Sequence, residues 1–266
     1  MAKKEAAAAS HAAAAKPSED TKLMVRPISE IEKFEVPEFL KDDVNKGLEH
    51  ITKDDIITPR LAIAQGLSPQ INTTKPEYID GLKLGEAFNT VTKNAYGMGP
   101  WEVAIVRADP PRYIEFIPRE EGGGVKDLNV PHNDARTAWT VNEKGDRVPP
   151  LATQFYDFVL VILATREVIA ISFKSTGLKI AKELNSLLKL RQQQRQIPMI
   201  ANRFNLRAIA AKNAKGDYFQ FQFTSSGLTQ DVGELQFLKG TFDALKGKEL
   251  KIDREPGDDS DDDAGM

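Results

Sequence analysis

Residues 154–173, QFYDFVLVILATREVIAISF, constrain the fold most. Phe158 to Ala164 is the longest apolar run in the chain. It has the length of a buried strand and falls far short of the roughly 20 residues that cross a bilayer as a helix. The second half, EVIAISF, is again rich in β-branched and apolar residues, and the polar pair Thr165-Arg166 between the halves reads as a tight turn. Two strands joined in this way form the frame to which the remaining segments must attach.

Upstream, WEVAIVRA (101–108) and RYIEFIPR (112–119) alternate as strands do, with Pro110-Pro111 bending the chain between them. A long polar insertion follows, with Gly122 to Gly124 as breakers and a hairpin turn at EKGD. Downstream of the central pair, Ile180, Leu184, Leu187 and Leu188 form one apolar stripe. They predict an amphipathic helix capped by Ser175 or Thr176 and fraying within RQQQRQ before Pro198. RFNLRAIAAK and DYFQFQFTS then read as two strands joined at Asn213 to Gly216. The second places Phe219, Phe221 and Phe223 on a core face and Tyr218, Gln220 and Gln222 on the other. A last helix is expected from near Thr229, with Val232, Leu235, Leu238, Phe242 and Leu245 as its stripe.

Strand, strand, strand, helix, strand, strand is the order of an oligonucleotide/oligosaccharide-binding (OB) barrel, although other α+β layouts share it. The expected class is therefore α+β, mainly β. It is an OB-fold-like antiparallel barrel with one inserted helix, a C-terminal helix and disordered tails. The expected divisions are an Ala-rich tail over 1–27, an extension packed on the barrel over 28–86, an OB-like domain over 87–250 and an acidic tail over 251–266.

Catalytic signals are absent from the sequence pattern. There are no cysteines, and His11, His50 and His132 lack metal-ligand spacing. EEGGGVK lacks the spacing of a phosphate loop. DDSDDD has no folded frame to bind a cation tightly. The chain is expected to be a binding protein with no catalytic residues, cofactor or metal, and with no membrane segment.

Charge carries more. The net value of −3 hides an asymmetry. Between Lys174 and Lys215 ten basic residues face the single acidic Glu183, and from Lys251 to Met266 seven acidic residues face two basic ones. Single-strand binders combine a cationic groove with aromatic stacking platforms. Arg203 and Arg207 share one strand face, next to Tyr218. Lys174, Lys179 and Lys182 gather at the helix start, and Arg107, Arg112 and Tyr113 lie on the first strand. Trp139 sits in the insertion with no evident core to serve. All ten are candidate contacts to single-stranded DNA, and all ten also fit a solvated sheet face or ordinary packing. Asp258, Asp259, Asp261, Asp262 and Asp263 would form a regulatory tail that competes for the cationic groove, recruits replication or recombination proteins, or serves solubility alone.

Several blocks carry a resemblance. ITPRLAIAQGLSPQIN, KPEYIDGLKLGEAFNTVTKNAYG, YIEFIPREEGGG, ISFKSTGLKIAKELNSLL and KGDYFQFQF, within about residues 55–225, resemble a widespread family of tailed-bacteriophage proteins. That likeness implies a phage protein, in the host cytoplasm, more firmly than it implies an activity. The barrel-plus-acidic-tail layout is similar to that of bacterial and phage single-stranded-DNA-binding proteins. Their tails end in an aromatic residue, whereas this one ends Ala264-Gly265-Met266. The expected function is single-stranded DNA binding in replication or recombination, with a homo-oligomer compatible. The alternatives are a protein-interaction module, such as a recombination mediator or an inhibitor of a host factor, and a virion or assembly component.

Overall fold

A computed structural model describes residues 37–43, 46–47, 49–50, 57–118, 121–213, 216–248 and 250–253. The Ala-rich segment 1–27 and the aspartates of the tail lie outside them. The fold is α+β, mostly antiparallel sheet with two helices. The strands are β1 (Leu61–Ile63), β2 (Ala87–Asn89), β3 (Ala95–Gly97), β4 (Trp101–Ala108), β5 (Arg112–Phe116), β6 (Val125–Asp127), β7 (Thr140–Val141), β8 (Arg147–Val148), β9 (Ala152–Ile162), β10 (Glu167–Phe173), β11 (Asn202–Asn213) and β12 (Gly216–Leu228). The helices are α1 (Leu178–Arg195) and α2 (Val232–Leu245). Among the described residues no helix is long and apolar enough to cross a membrane.

β9 organises the main sheet. Its second half pairs with β10 on one side and β4 on the other, and its first half pairs with β5. β4 and β5 thus run along one flank of β9, broken at the prolines. β11 adds to β4, and β12 to β11. β6 adds to β5, and the strand pairings among the described residues leave this sheet open, with β10, β12 and β6 as outer strands, instead of closing it into the expected barrel.

The unbroken apolar run in β9 follows from burial on both faces. Phe158, Leu160 and Ile162 point into the main core with Val103, Ile105, Ile169, Ile171, Phe204 and Leu206. Val159 and Val161 point the other way, with Ala104 and Val106, onto Leu238 of α2. α1 closes the main core with Ala181, Leu184 and Leu188, and Ile180 and Leu187 pack beside them. Phe221 belongs to this core and Phe223 packs against it.

Three local expectations need correction. No hydroxyl caps α1: Ser175–Gly177 form a 3-10 turn, and Gly177 stands at the N-cap without a side-chain bond. α1 also does not fray within RQQQRQ. It runs to Arg195 and ends on left-handed Gln196, whose N–H reaches the Gln192 carbonyl while that of Ile197 reaches Arg191. α2 starts after Asp231, whose side chain accepts from the Glu234 N–H, and Val232 is left exposed. Leu238 and Leu245 of the expected stripe pack toward β4 and β9, joined there by Phe237.

The N-terminal extension interleaves with the sheet. β1, β2 and β3 form a small sheet, so the division expected at 86/87 falls inside it. Leu61 and Ala87 enter the main core, while Ala62, Ala64, Ile79, Leu82 and Phe88 make a core of their own. The extension touches the β10 and β12 edges. The Pro59 carbonyl accepts the Ala170 N–H of β10 at 2.8 Å. On the β12 side, the Gln65 amide donates to the Phe219 carbonyl at 2.7 Å and accepts its N–H at 3.0 Å. One side chain thereby replaces a pair of strand-to-strand bonds.

Candidate nucleic-acid interface

Three of the expected arginines hold the fold together. Arg203 points outward from β11, as the period of two requires, but under α2. Its guanidinium binds both oxygens of Glu234, at 2.6 and 2.8 Å, and reaches Glu102 at 3.4 Å. This compensation, Glu234 first, raises its pKa. Arg112 donates to Asp157 at 2.8 Å. That carboxylate is 1% exposed and also accepts the Ser172 hydroxyl at 2.6 Å. Arg107 pairs with Asp109 and donates to the carbonyls of Leu245 and Lys248, where it satisfies the end of α2. Taking any of the three for phosphate would strip a partly buried carboxylate or a helix end of its partner.

The expected aromatics divide. Tyr113 is half-buried against the His132 ring at 5.3 Å between centroids, and burial raises its pKa. Trp139 is 41% exposed, with the Arg147 guanidinium 4.7 Å over its ring. His132 and Trp139 belong to the long polar insertion, which the structure pins to β5. Glu115, buried on β5, accepts from Lys126 and from Arg136, each at 2.6 Å, and Arg136 also binds Asp127 and Asp134. The EKGD turn forms as expected, between β7 and β8.

These ion pairs set a pH window. Lys126, then Arg136, hold the Glu115 carboxyl below its usual range, and Arg136 holds that of Asp134 down to about 2. Both folded-state values are depressed. The contribution is therefore complete above the ordinary carboxylate range and is lost as pH falls through the folded values. Proteolysis of the insertion should be unchanged from pH 7 to pH 5 and several-fold faster in Glu115→Gln at neutral pH. Limited digestion followed by mass spectrometry checks this, and equal cleavage of the variant and the parent would contradict it.

The structure does bring Lys174 and Tyr218 together. Between the end of β10, the turn before α1, the start of β12 and the 65–68 turn lies a cleft of about 430 Å³. Lys174, Thr176, Tyr218, Phe219, Gln220 and Gln65 are among its lining. Such a volume is in the range of ligand pockets. Lys179 and Lys182 stand on the first two turns of α1, and Ile180 between them lines the cleft. Lys179 meets Glu183 only at 4.0 Å, with 85% and 67% of the two side chains exposed, so that pair holds it weakly. Arg207 lies on the outer face of β11, where Nε donates to Gln222 at 2.8 Å. Gln65 was not readable from sequence as a cleft residue, because its contact to Phe219 spans 154 positions.

The last described residues also come here. Thr58 bridges Ile252 in parallel, and Arg60 Nε donates to the Asp253 carbonyl at 3.0 Å. Arg60 itself lines the cleft. The aspartates of 258–263 lie beyond the described residues.

Residues 29–251 match the family model of the Pam3 phage gp34-like protein. No curated protein and no solved structure matches.

Proposed function

The chain belongs to the Pam3 phage gp34-like family, and from that premise we propose that it binds single-stranded DNA in phage replication or recombination, without catalysis. The observation that carries this reading is the cleft, where a lysine, a tyrosine and two glutamines meet beside the cationic start of α1. Lys174, Lys179, Lys182 and Arg207 neutralise phosphates, and Tyr218 offers a stacking face. Arg203, Arg112 and Arg107 are left to their structural partners. Tyr113 is left to His132, and Trp139 is a secondary contact on the insertion. The order β10-β9-β4-β11-β12, with α1 between β10 and β11, follows the strand order of an OB-type barrel. β1 lies where such a barrel would close.

The acidic segment Asp258–Asp263 regulates this site in the same reading. The chain passes Asp253 running parallel to residues 58–60, whose continuation, Leu61 to Gln65, lines the cleft. An anionic segment tethered there competes with phosphate at high effective concentration, and DNA frees it for replication or recombination partners.

Exposed Leu128, Val141 and Leu151 on the insertion favour a second reading, a protein-interaction module. The test is a fluorescence-anisotropy titration of oligo(dT), and of a matching duplex, with the full chain. Saturable binding that prefers the single strand supports DNA binding. No binding, or equal affinity for duplex, contradicts it and leaves the interaction module.

A further inference from the structure

A second recognition surface lies at the other end of α1. A groove of about 410 Å³ runs between its last two turns and the end of β12. Leu190, Ile197 and Leu228 line it, with Leu190 48% and Leu228 40% exposed. Arg191 and Arg195 flank these apolar residues, and no acidic side chain joins them among the described lining residues. Arg191 is fixed in place, donating to Asn202 at 2.7 Å and to Ser225 at 2.8 Å. Arg195 is exposed. An apolar floor between two guanidinium groups suits a peptide with several carboxylates next to one flexible apolar side chain.

The chain itself contains such a segment: Asp261-Asp262-Asp263 followed by Ala264-Gly265-Met266. We propose that this groove receives the segment Asp258–Met266 of a second copy, with the aspartates on Arg191 and Arg195 and Met266 on the apolar floor. Geometry favours a second copy over the segment's own chain. The groove and the cleft lie at opposite ends of α1, whose 18 residues span about 27 Å. The chain passes Asp253 at the cleft end. Eight residues separate Asp253 from Asp261, and eight residues fully extended reach at most about 26–29 Å. To fill its own groove the segment would have to leave the cleft end fully extended along α1, whereas the groove of a neighbour asks for no such stretch. This linkage does not depend on DNA.

The experiment uses a fluorescein-labelled peptide of residues 258–266 and the full chain. Anisotropy should report binding that weakens with salt. It should fall about tenfold or more with the combined exposed-site variant Leu190→Ser and Arg195→Ala, and similarly with Met266→Ser in the peptide. Sedimentation equilibrium should show the parent chain self-associating and the groove variant not. Peptide binding indifferent to either change overturns the assignment. So does a chain that stays monomeric while its peptide binds in the groove, since that places the segment on its own molecule. Oligo(dT) affinity for a single molecule should be unaltered in the groove variant, so failure of this linkage is separable from failure of DNA binding.

Discussion

Tyr218→Ala should weaken oligo(dT) binding about five- to 150-fold, the equivalent of about 1–3 kcal/mol for one lost base stack. Tyr218 lines the cleft, and among the described residues its hydroxyl makes only a long contact of 3.4 Å to Gln220. The ring is thus the group with work to do. Tyr218→Phe retains it and should bind like the parent. Lys174→Ala should lower affinity and reduce the log–log salt slope by about 0.7, the share of one phosphate contact. Arg203→Ala separates the cleft from the outer sheet face: it should destabilise the fold through the loss of Glu234 and Glu102 as partners, yet leave the salt slope alone. Affinity of Tyr218→Ala equal to that of the parent would remove the cleft from the account.

The second large effect lies at Gly85→Val. Gly85 has φ +83, and a Cβ there would sit 2.5 Å from the Phe219 ring. The left-handed backbone costs a β-branched residue about 1–2 kcal/mol, and forcing the ring away adds about 1–3 kcal/mol. The expected loss is about 2–5 kcal/mol, read as a lower urea midpoint. Phe219 is held at its backbone by Gln65, so the ring cannot retreat by shifting the strand. Adding Phe219→Ala to Gly85→Val should recover the steric part and not the backbone part. A loss below about 0.5 kcal/mol would mean that the extension and β12 are not packed as one unit.

How much of this was legible in the sequence depends on the range of the interaction. β9, β10, β11 and β12 appear where apolar runs and alternation put them, because each pattern is local and set by the faces it buries. α1 was also legible, since Ile180, Leu184, Leu187 and Leu188 recur at helical spacing. Its start was not. Ser175–Gly177 form a 3-10 turn where Ser175 and Thr176 offered caps, at a position where a Cβ on Gly177 would meet the Phe173 ring at 3.1 Å. How the extension interleaves with the sheet was hidden for the same reason at longer range. Nothing near Gln65 announces that its amide will satisfy Phe219. The candidate cations show the limit most clearly. Arg203 and Arg207 share a strand face as read, but Glu234 comes from a helix further along the chain and claims only the first of them. Charge in a sequence locates cations, and only the packed carboxylates decide which remain for a ligand.

In the proposed function, DNA is held by the lysines beside the cleft and by Arg207 on the outer face of β11. The most direct measurement of this is the salt dependence of oligo(dT) affinity for the full chain. With Lys174, Lys179, Lys182 and Arg207 contacting phosphates, the log–log slope should be roughly −3. A slope near zero, or one unchanged when Lys174, Lys179 and Lys182 are replaced by alanine, would contradict it.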